Sequence, residues 1–363
     1  MRVVIKVGSA LVAPGGLPDP GAVHALAASV ADLRSAGHAP VLVSSGAVAS
    51  GLGLLGYARP PSAIVEKQAC AAAGQPRLMR LWGEAFERRG LGVAQLLLVA
   101  GDLGHRRRFL NARHTVEALL AHGLVPIVNE NDSVAFEEIR FGDNDRLSAL
   151  TACLVGADAL VILSTAGGLW EDGGRGPLIP RVESIAAARA HVSSERSAVG
   201  TGGMTTKLDA AEIATRSGIA VWIAPGPPGG DRGAWSIGGI LSGAVPATHF
   251  PAPAGRAPAR DSWLAFAAQP RGSIELDEGA VRAVVERGAS VLPIGVVGAA
   301  GSFQRGELVE LCAPGGRAVA RGLVNYPADE VRRIARKKAA EIEAILGYRY
   351  QDEVVHRSDM VLL

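Results

Sequence analysis

Six short aliphatic runs constrain the first 250 residues more than any other feature; longer amphipathic stretches separate them, and Gly, Ser, Asn or Asp clusters close nearly all of them. The runs are Val3–Val7, Val41–Val43, Val93–Val99, Leu124–Val128, Leu160–Leu163 and Ile219–Ile223. Strands apolar on both faces and separated by helices belong to a parallel sheet covered on both sides, an α/β three-layer sandwich. Ligands bind such sheets at the carboxyl edge, where strand ends and helix starts meet. Gly8-Ser9, Ser44-Ser45-Gly46-Ala47, Asn129-Glu130-Asn131-Asp132 and Ser164-Thr165 all fall there, so residues far apart in sequence can share one site.

A length of 363 residues is too great for one ordinary core. Residues 251–270 are rich in Pro and Ala and lack apolar periodicity, which is the character of a linker. They follow an expected first domain of 1–250. Closely spaced strand-like segments beyond them (Ser273–Leu276, Ser290–Pro293, Glu307–Leu311, Ala318–Val324) suggest a small β-rich, barrel-like domain over 271–349. One helix is expected from Ala328 to Leu346, and residues 350–363 as a C-terminal tail.

Three widely separated cysteines fit neither a disulfide framework nor a zinc spacing, which points to a cytoplasmic setting. No apolar run is long and unbroken enough for a membrane span. A net charge of +2 argues against a bulk electrostatic grip on nucleic acid.

Gly200-Thr201-Gly202-Gly203-Met204-Thr205-Thr206-Lys207 concentrates glycines and hydroxyls ahead of a helical pattern, without the G-x-x-x-x-G-K-[ST] spacing of a P-loop. On its own residues it is either a phosphate cradle at a helix N-terminus or a flexible glycine-rich loop. Lys6 is either an edge-strand lysine reaching water or a second ammonium group for the same phosphate. Ser44-Ser45-Gly46-Ala47 reads as a plain N-cap or as a carboxylate anchor. Asn129–Asp132 and Gly142-Asp143-Asn144-Asp145 read as solvated turns or as a grip on an ammonium-bearing substrate and on the lysines. No histidine arrangement supplies a general base. A carboxylate nucleophile would need none, because it is already ionised at neutral pH. Phosphoryl transfer to such a group requires positioning and charge neutralisation, which lysines, glycine N–H groups and Mg²⁺ supply.

Taken in order, the motifs Val4–Ser9, Ser44–Ala47, Asn129–Asp132, Gly142–Asp145 and Gly202–Lys207 resemble the amino acid kinase family, and 271–349 resembles the PUA domain, an RNA-binding module. Within that family the resemblance is to the members that phosphorylate the γ-carboxylate of L-glutamate with ATP, the first step of proline biosynthesis. It implies Lys6 and Lys207 as catalytic cations organised by Asp145. It implies Ser45, Gly46, Asp132 and Asn144 at glutamate. Ser164, Thr165, Thr201, Gly202, Gly203, Met204, Thr205, Thr206 and Lys207 would lie at ATP, with Mg²⁺ carried on the phosphates rather than in a protein metal site. The family often has an aspartate where this chain has Thr165. Also implied are proline as feedback inhibitor, RNA at the PUA domain, and a homo-oligomer, dimer or tetramer. The alternatives are an amino acid kinase for acetylglutamate, aspartate or carbamate, or an RNA-binding protein working through its second domain.

Overall fold

A computed structural model describes residues 1–14, 17–104, 106–135, 144–192, 203–228, 233–253 and 269–363. The chain divides into two compact units. The first comprises Met1–Leu103 and Arg107–Ala259; the second is formed chiefly by Arg260–Leu363.

The first unit is built on seven strands: β1 Arg2–Val7, β2 Ala39–Ser44, β3 Val93–Leu98, β4 Val125–Glu130, β5 Ala159–Ser164, β6 Ala220–Pro225 and β7 Thr248–Phe250. Their order is β3-β4-β2-β1-β5-β6-β7, and all neighbours are parallel except β6 and β7. All six aliphatic runs are strands. The antiparallel β7, only three residues long, carries no sequence signal of its own.

From β1 the chain steps one way to β2 and β3, then returns through β4, β5 and β6. Right-handed crossovers therefore place helices Pro20–Ser35 and Ile64–Glu87 on one face. Helices Arg106–Ala121, Asn144–Val155 and Met204–Arg216 cover the other. Neighbouring strands whose chains leave to opposite faces open a crevice at the carboxyl edge. Two such places lie between β2 and β4 and between β1 and β5.

Local chemistry sets the element ends. Asp19 caps Pro20–Ser35 by accepting from Gly21 N–H, and Pro20 stands at a position where its missing N–H costs nothing. Val3, Ile5 and Val7 of β1 are fully buried against Val23, Leu26, Val30, Trp82 and Phe86 on the first helical face. Each such side chain contributes roughly 1.5–3 kcal/mol.

The helix Ala47–Gly51 docks on Ile64–Glu87 through backbone contact at two glycines. A Cβ on Gly74 would lie 2.0 Å from Ala47 O, and one on Gly51 1.9 Å from Cys70 O. Gly74→Ala should therefore cost about 3 kcal/mol or more through overpacking. A denaturation midpoint equal to the wild type would contradict that account.

The second unit holds β8 Gly272–Leu276, β9 Val296–Gly301, β10 Leu308–Cys312, β11 Ala318–Val324 and β12 Val355–Leu362, in the order β12-β11-β10-β8-β9. Three of its strands were expected, whereas Ser290–Pro293 supplies only an isolated bridge at Val291 and a 3₁₀ turn from Pro293. The single helix expected over Ala328–Leu346 is interrupted. An α-helix runs Ala328–Ile334, a 3₁₀ turn spans Ala339–Glu341 and a second helix spans Ile342–Leu346. Arg336 takes φ of 62° and donates its N–H to Pro293 O and Val296 O, partners outside the helix.

Residues 350–363, expected as a tail, contain β12 laddered antiparallel to β11. The polar run His356-Arg357-Ser358-Asp359 hid that strand, because it breaks the alternation that marks one. Most of the linker expected at 251–270 lies outside the described residues.

Candidate active site

Side chains alternate along a strand. With Ile5 and Val7 packed toward one helical face, Lys6 is directed to the other, beneath Asn144–Val155 and Met204–Arg216. β1 lies between β2 and β5, so Lys6 is on a central strand and has no edge from which to reach water. Its ammonium meets Asp145, in the first turn of Asn144–Val155, with Nζ 2.6 Å from Oδ1. Lys207, one turn into Met204–Arg216, places Nζ 3.1 Å from Oδ2 of the same carboxylate. All three side chains are over nine-tenths buried.

Thr206 Oγ1 lies 2.8 Å from Asp145 Oδ2 and 2.9 Å from Gly203 O. Its single proton is best donated to the ionised acceptor. Burial pushes the Asp145 carboxyl upward, but the Lys6 and Lys207 charges, with hydrogen bonds from Lys6 and Thr206, overcome it and hold the group at about 2. Two ammonium groups against one carboxylate leave one net positive charge at the β1/β5 crevice. Beside it Gly203 begins Met204–Arg216 with no side-chain cap, so the first N–H groups of a thirteen-residue helix stay available to an anion.

The β2/β4 crevice differs in chemistry. Asn144 immediately precedes Asp145, and its Nδ2 donates to Ser45 Oγ (2.7 Å) and to Asn129 Oδ1 (3.1 Å). Asn129 Nδ2 donates in turn to Gln75 Oε1 at 2.8 Å. Gly46 turns the chain out of β2 at φ of 113°, where a Cβ would press on Val12 Cγ1 at 3.2 Å. Asp132 stands partly buried just beyond β4, and burial raises its carboxyl to about 6.

The expected residues thus fall into two groups joined by the pair Asn144-Asp145. Lys6, Asp145, Thr206 and Lys207 meet at one crevice; Ser45 and Asn144 meet at the other, with Asp132 beyond the end of β4. Ser164 ends β5 with its hydroxyl accepting from Ala166 N–H, while Thr165 is exposed and Met204 and Thr205 make no side-chain hydrogen bond among the described residues. Thr201 and Gly202, with Gly142 and Asp143, lie outside the described residues. Sequence reasoning missed Gln75, which sits mid-helix just before Pro76 and far from every motif. Thr206 was expected at the nucleotide; its hydroxyl is on Asp145.

A parallel sheet of this topology, with paired lysines on one buried aspartate at its carboxyl edge, describes a phosphotransferase of the amino acid kinase type. The pattern that defines the amino acid kinase family matches residues 1–225, and that of the PUA domain matches 272–346. The chain belongs to the amino acid kinase family.

Within it the similarity extends over the whole length of particular relatives. Identity with glutamate 5-kinase of Thermus thermophilus is 49%, covering 99% of this chain and 97% of that protein. The glutamate 5-kinase of Trichlorobacter lovleyi is 46% identical (100% and 96% covered). That of Shigella flexneri is 43% identical (99% and 98% covered).

Proposed function

We propose that this chain transfers the γ-phosphoryl group of ATP to the γ-carboxylate of L-glutamate, giving L-glutamyl 5-phosphate and ADP. The observation that carries the reading is the joining of two unlike half-sites at Asn144-Asp145. One is a cationic pair set for a phosphoryl group; the other is an amide and hydroxyl network set for an amino acid. The full-length similarity to glutamate 5-kinases selects glutamate among the family's acceptors.

A γ-carboxylate oxygen attacks the γ-phosphorus, the bond to the bridging oxygen of the β-phosphate breaks, and ADP leaves with those electrons. No proton moves, which fits a site without a general base. Lys6 and Lys207 neutralise the equatorial and leaving oxygens as charge shifts among them. Asp145 holds both ammonium groups in place, so their reorganisation cost is met in the folded state rather than during transfer. Both Asp145 oxygens are taken by lysines at 2.6 and 3.1 Å, so Mg²⁺ fits as a companion of the nucleotide, held by phosphate oxygens and water. It would supply further charge neutralisation there.

Asp132 faces the acceptor's α-ammonium in this reading, and Ser45 its α-carboxylate. Proline carries the same two groups and would compete for that half-site. RNA binding by the second unit is a separable activity, read by salt-dependent titration of the full chain.

The test is ADP release across an acceptor panel of L-glutamate, N-acetylglutamate and L-aspartate. Glutamate should give the highest kcat/KM, and a preference for N-acetylglutamate would overturn the assignment.

The Asp132 carboxyl at about 6 gives a pH signature. As pH falls through 6 the carboxylate gains a proton and loses its attraction for ammonium. The KM for glutamate should rise below pH 6 in the wild type. It should be raised and nearly flat over pH 5–8 in Asp132→Asn; a flat wild-type profile would remove Asp132 from the site. The same raised value means burial of Asp132 costs stability as pH rises through 6, so Asp132→Asn should not lower the melting temperature at pH 8.

A further inference from the structure

Among the described residues, two buried polar atoms beside the β2/β4 crevice lack partners: Asn144 Oδ1 and Gln75 Nε2. They sit in one chain of amides whose polarity can be worked out link by link. The N–H of Glu130 donates to Asn129 Oδ1 at 2.9 Å, so that oxygen must be the acceptor. The other end of the amide, Nδ2, then faces Gln75, which presents Oε1 to it.

Because Asn129 offers an oxygen to Asn144, Asn144 must offer its NH₂ there, and its second N–H goes to Ser45 Oγ. Both donors of Asn144 are spent, so its only remaining capacity is the acceptor Oδ1. Ser45 Oγ already accepts, so its own proton is free to donate. An α-amino acid presents the complement, an ammonium donor and a carboxylate acceptor.

We propose that Gln75 is the positioning residue of the acceptor half-site, fixing the polarity of Asn129 and, through it, of Asn144 and Ser45. The proposal deepens the glutamate reading and rests on it. Gln75 is nine-tenths buried on Ile64–Glu87. Its neighbour Gly74 is the residue held against Ala47–Gly51, the helix that begins two residues after Ser45. The glycine contact therefore sets the height of Gln75 relative to Ser45. Without its Oε1, the Asn129 NH₂ is buried with no acceptor, and the amide gains by turning toward the crevice. That rotation would aim a donor where the substrate's ammonium must sit.

The test measures KM for glutamate, KM for ATP and kcat in the full chain carrying Gln75→Met, Gln75→Glu or Gln75→Asn, beside the wild type. Met keeps the bulk and removes the acceptor. Glu keeps an oxygen in the same place. Asn has an acceptor but is one methylene too short. Gln75→Met should raise the KM for glutamate about tenfold, the order expected when one buried donor loses its partner. The KM for ATP and kcat should change less than about twofold, and Gln75→Glu should restore the glutamate KM. Should Gln75→Met not fold, Gln75→Asn is expected to give the same split.

An unchanged glutamate KM in a folded Met or Asn variant would overturn the relay. So would an equal rise in both KM values, or a Glu variant no better than Met. A wild type that ignores glutamate overturns the acceptor assignment itself, which the first measurement reveals before any variant is made.

Discussion

Lys207→Met and Lys6→Met should each cut kcat by about 10³-fold, the loss usual when one preorganised charge-stabilising donor is removed from a transition state. The KM for glutamate should change little, because the residues proposed to hold the acceptor lie at the β2/β4 crevice and the lysines at β1/β5. The reason for so large an effect is geometric. Each ammonium is buried and held within 3.1 Å of Asp145, so neither can be replaced by a solvated cation from elsewhere in the site. Single-turnover measurements with saturating glutamate and ATP check the step itself. A variant with kcat within about tenfold of wild type would exclude its lysine from charge neutralisation.

Asp145→Asn should do comparable damage to kcat and add a loss of stability. Two buried ammonium groups would then face each other across a neutral amide. Breaking buried pairs in this way costs about 3–5 kcal/mol. The pH dependence fixes the cause. The folded carboxyl, at about 2, lies below its unfolded value near 3.9. Its contribution is therefore fully present above about pH 4 and is lost as pH falls through 2. The shift corresponds to roughly 2–3 kcal/mol. Urea denaturation should show wild type and Asp145→Asn well separated at pH 7, with the gap narrowing as pH drops from 4 toward 2. A gap independent of pH would mean that shape, not charge, is what Asp145 contributes.

Much of this site was legible because its parts lie at strand ends and helix starts, where an aliphatic run stops or a period-3.6 pattern begins. Lys6 stood out as a charge inside an aliphatic strand, and Asn144-Asp145 as part of the second of two closely spaced acidic-amide clusters. What the sequence left undecided was which lysine reading applied. That depended on β1 lying between β2 and β5, a matter of strand order that no local pattern encodes.

Gln75 was invisible for another reason. A glutamine inside an amphipathic helix has many ordinary uses, and its partner Asn129 is 54 positions away. Likewise β12 and the break at Arg336 depend on pairing with distant backbone groups, the ladder to β11 and the carbonyls of Pro293 and Val296. Local propensity gives way to such contacts, so the second unit was read less completely than the first.

Trapping the product with hydroxylamine tests the central claim most directly. An acyl phosphate yields a hydroxamate, whereas simple ATP hydrolysis does not. Incubation with ATP, Mg²⁺ and L-glutamate should give glutamyl hydroxamate in step with ADP, neither forming without glutamate, and both should be lost in Lys207→Met. ADP release without hydroxamate, or hydroxamate formed equally well by Lys207→Met, would contradict transfer to the γ-carboxylate by a two-lysine clamp.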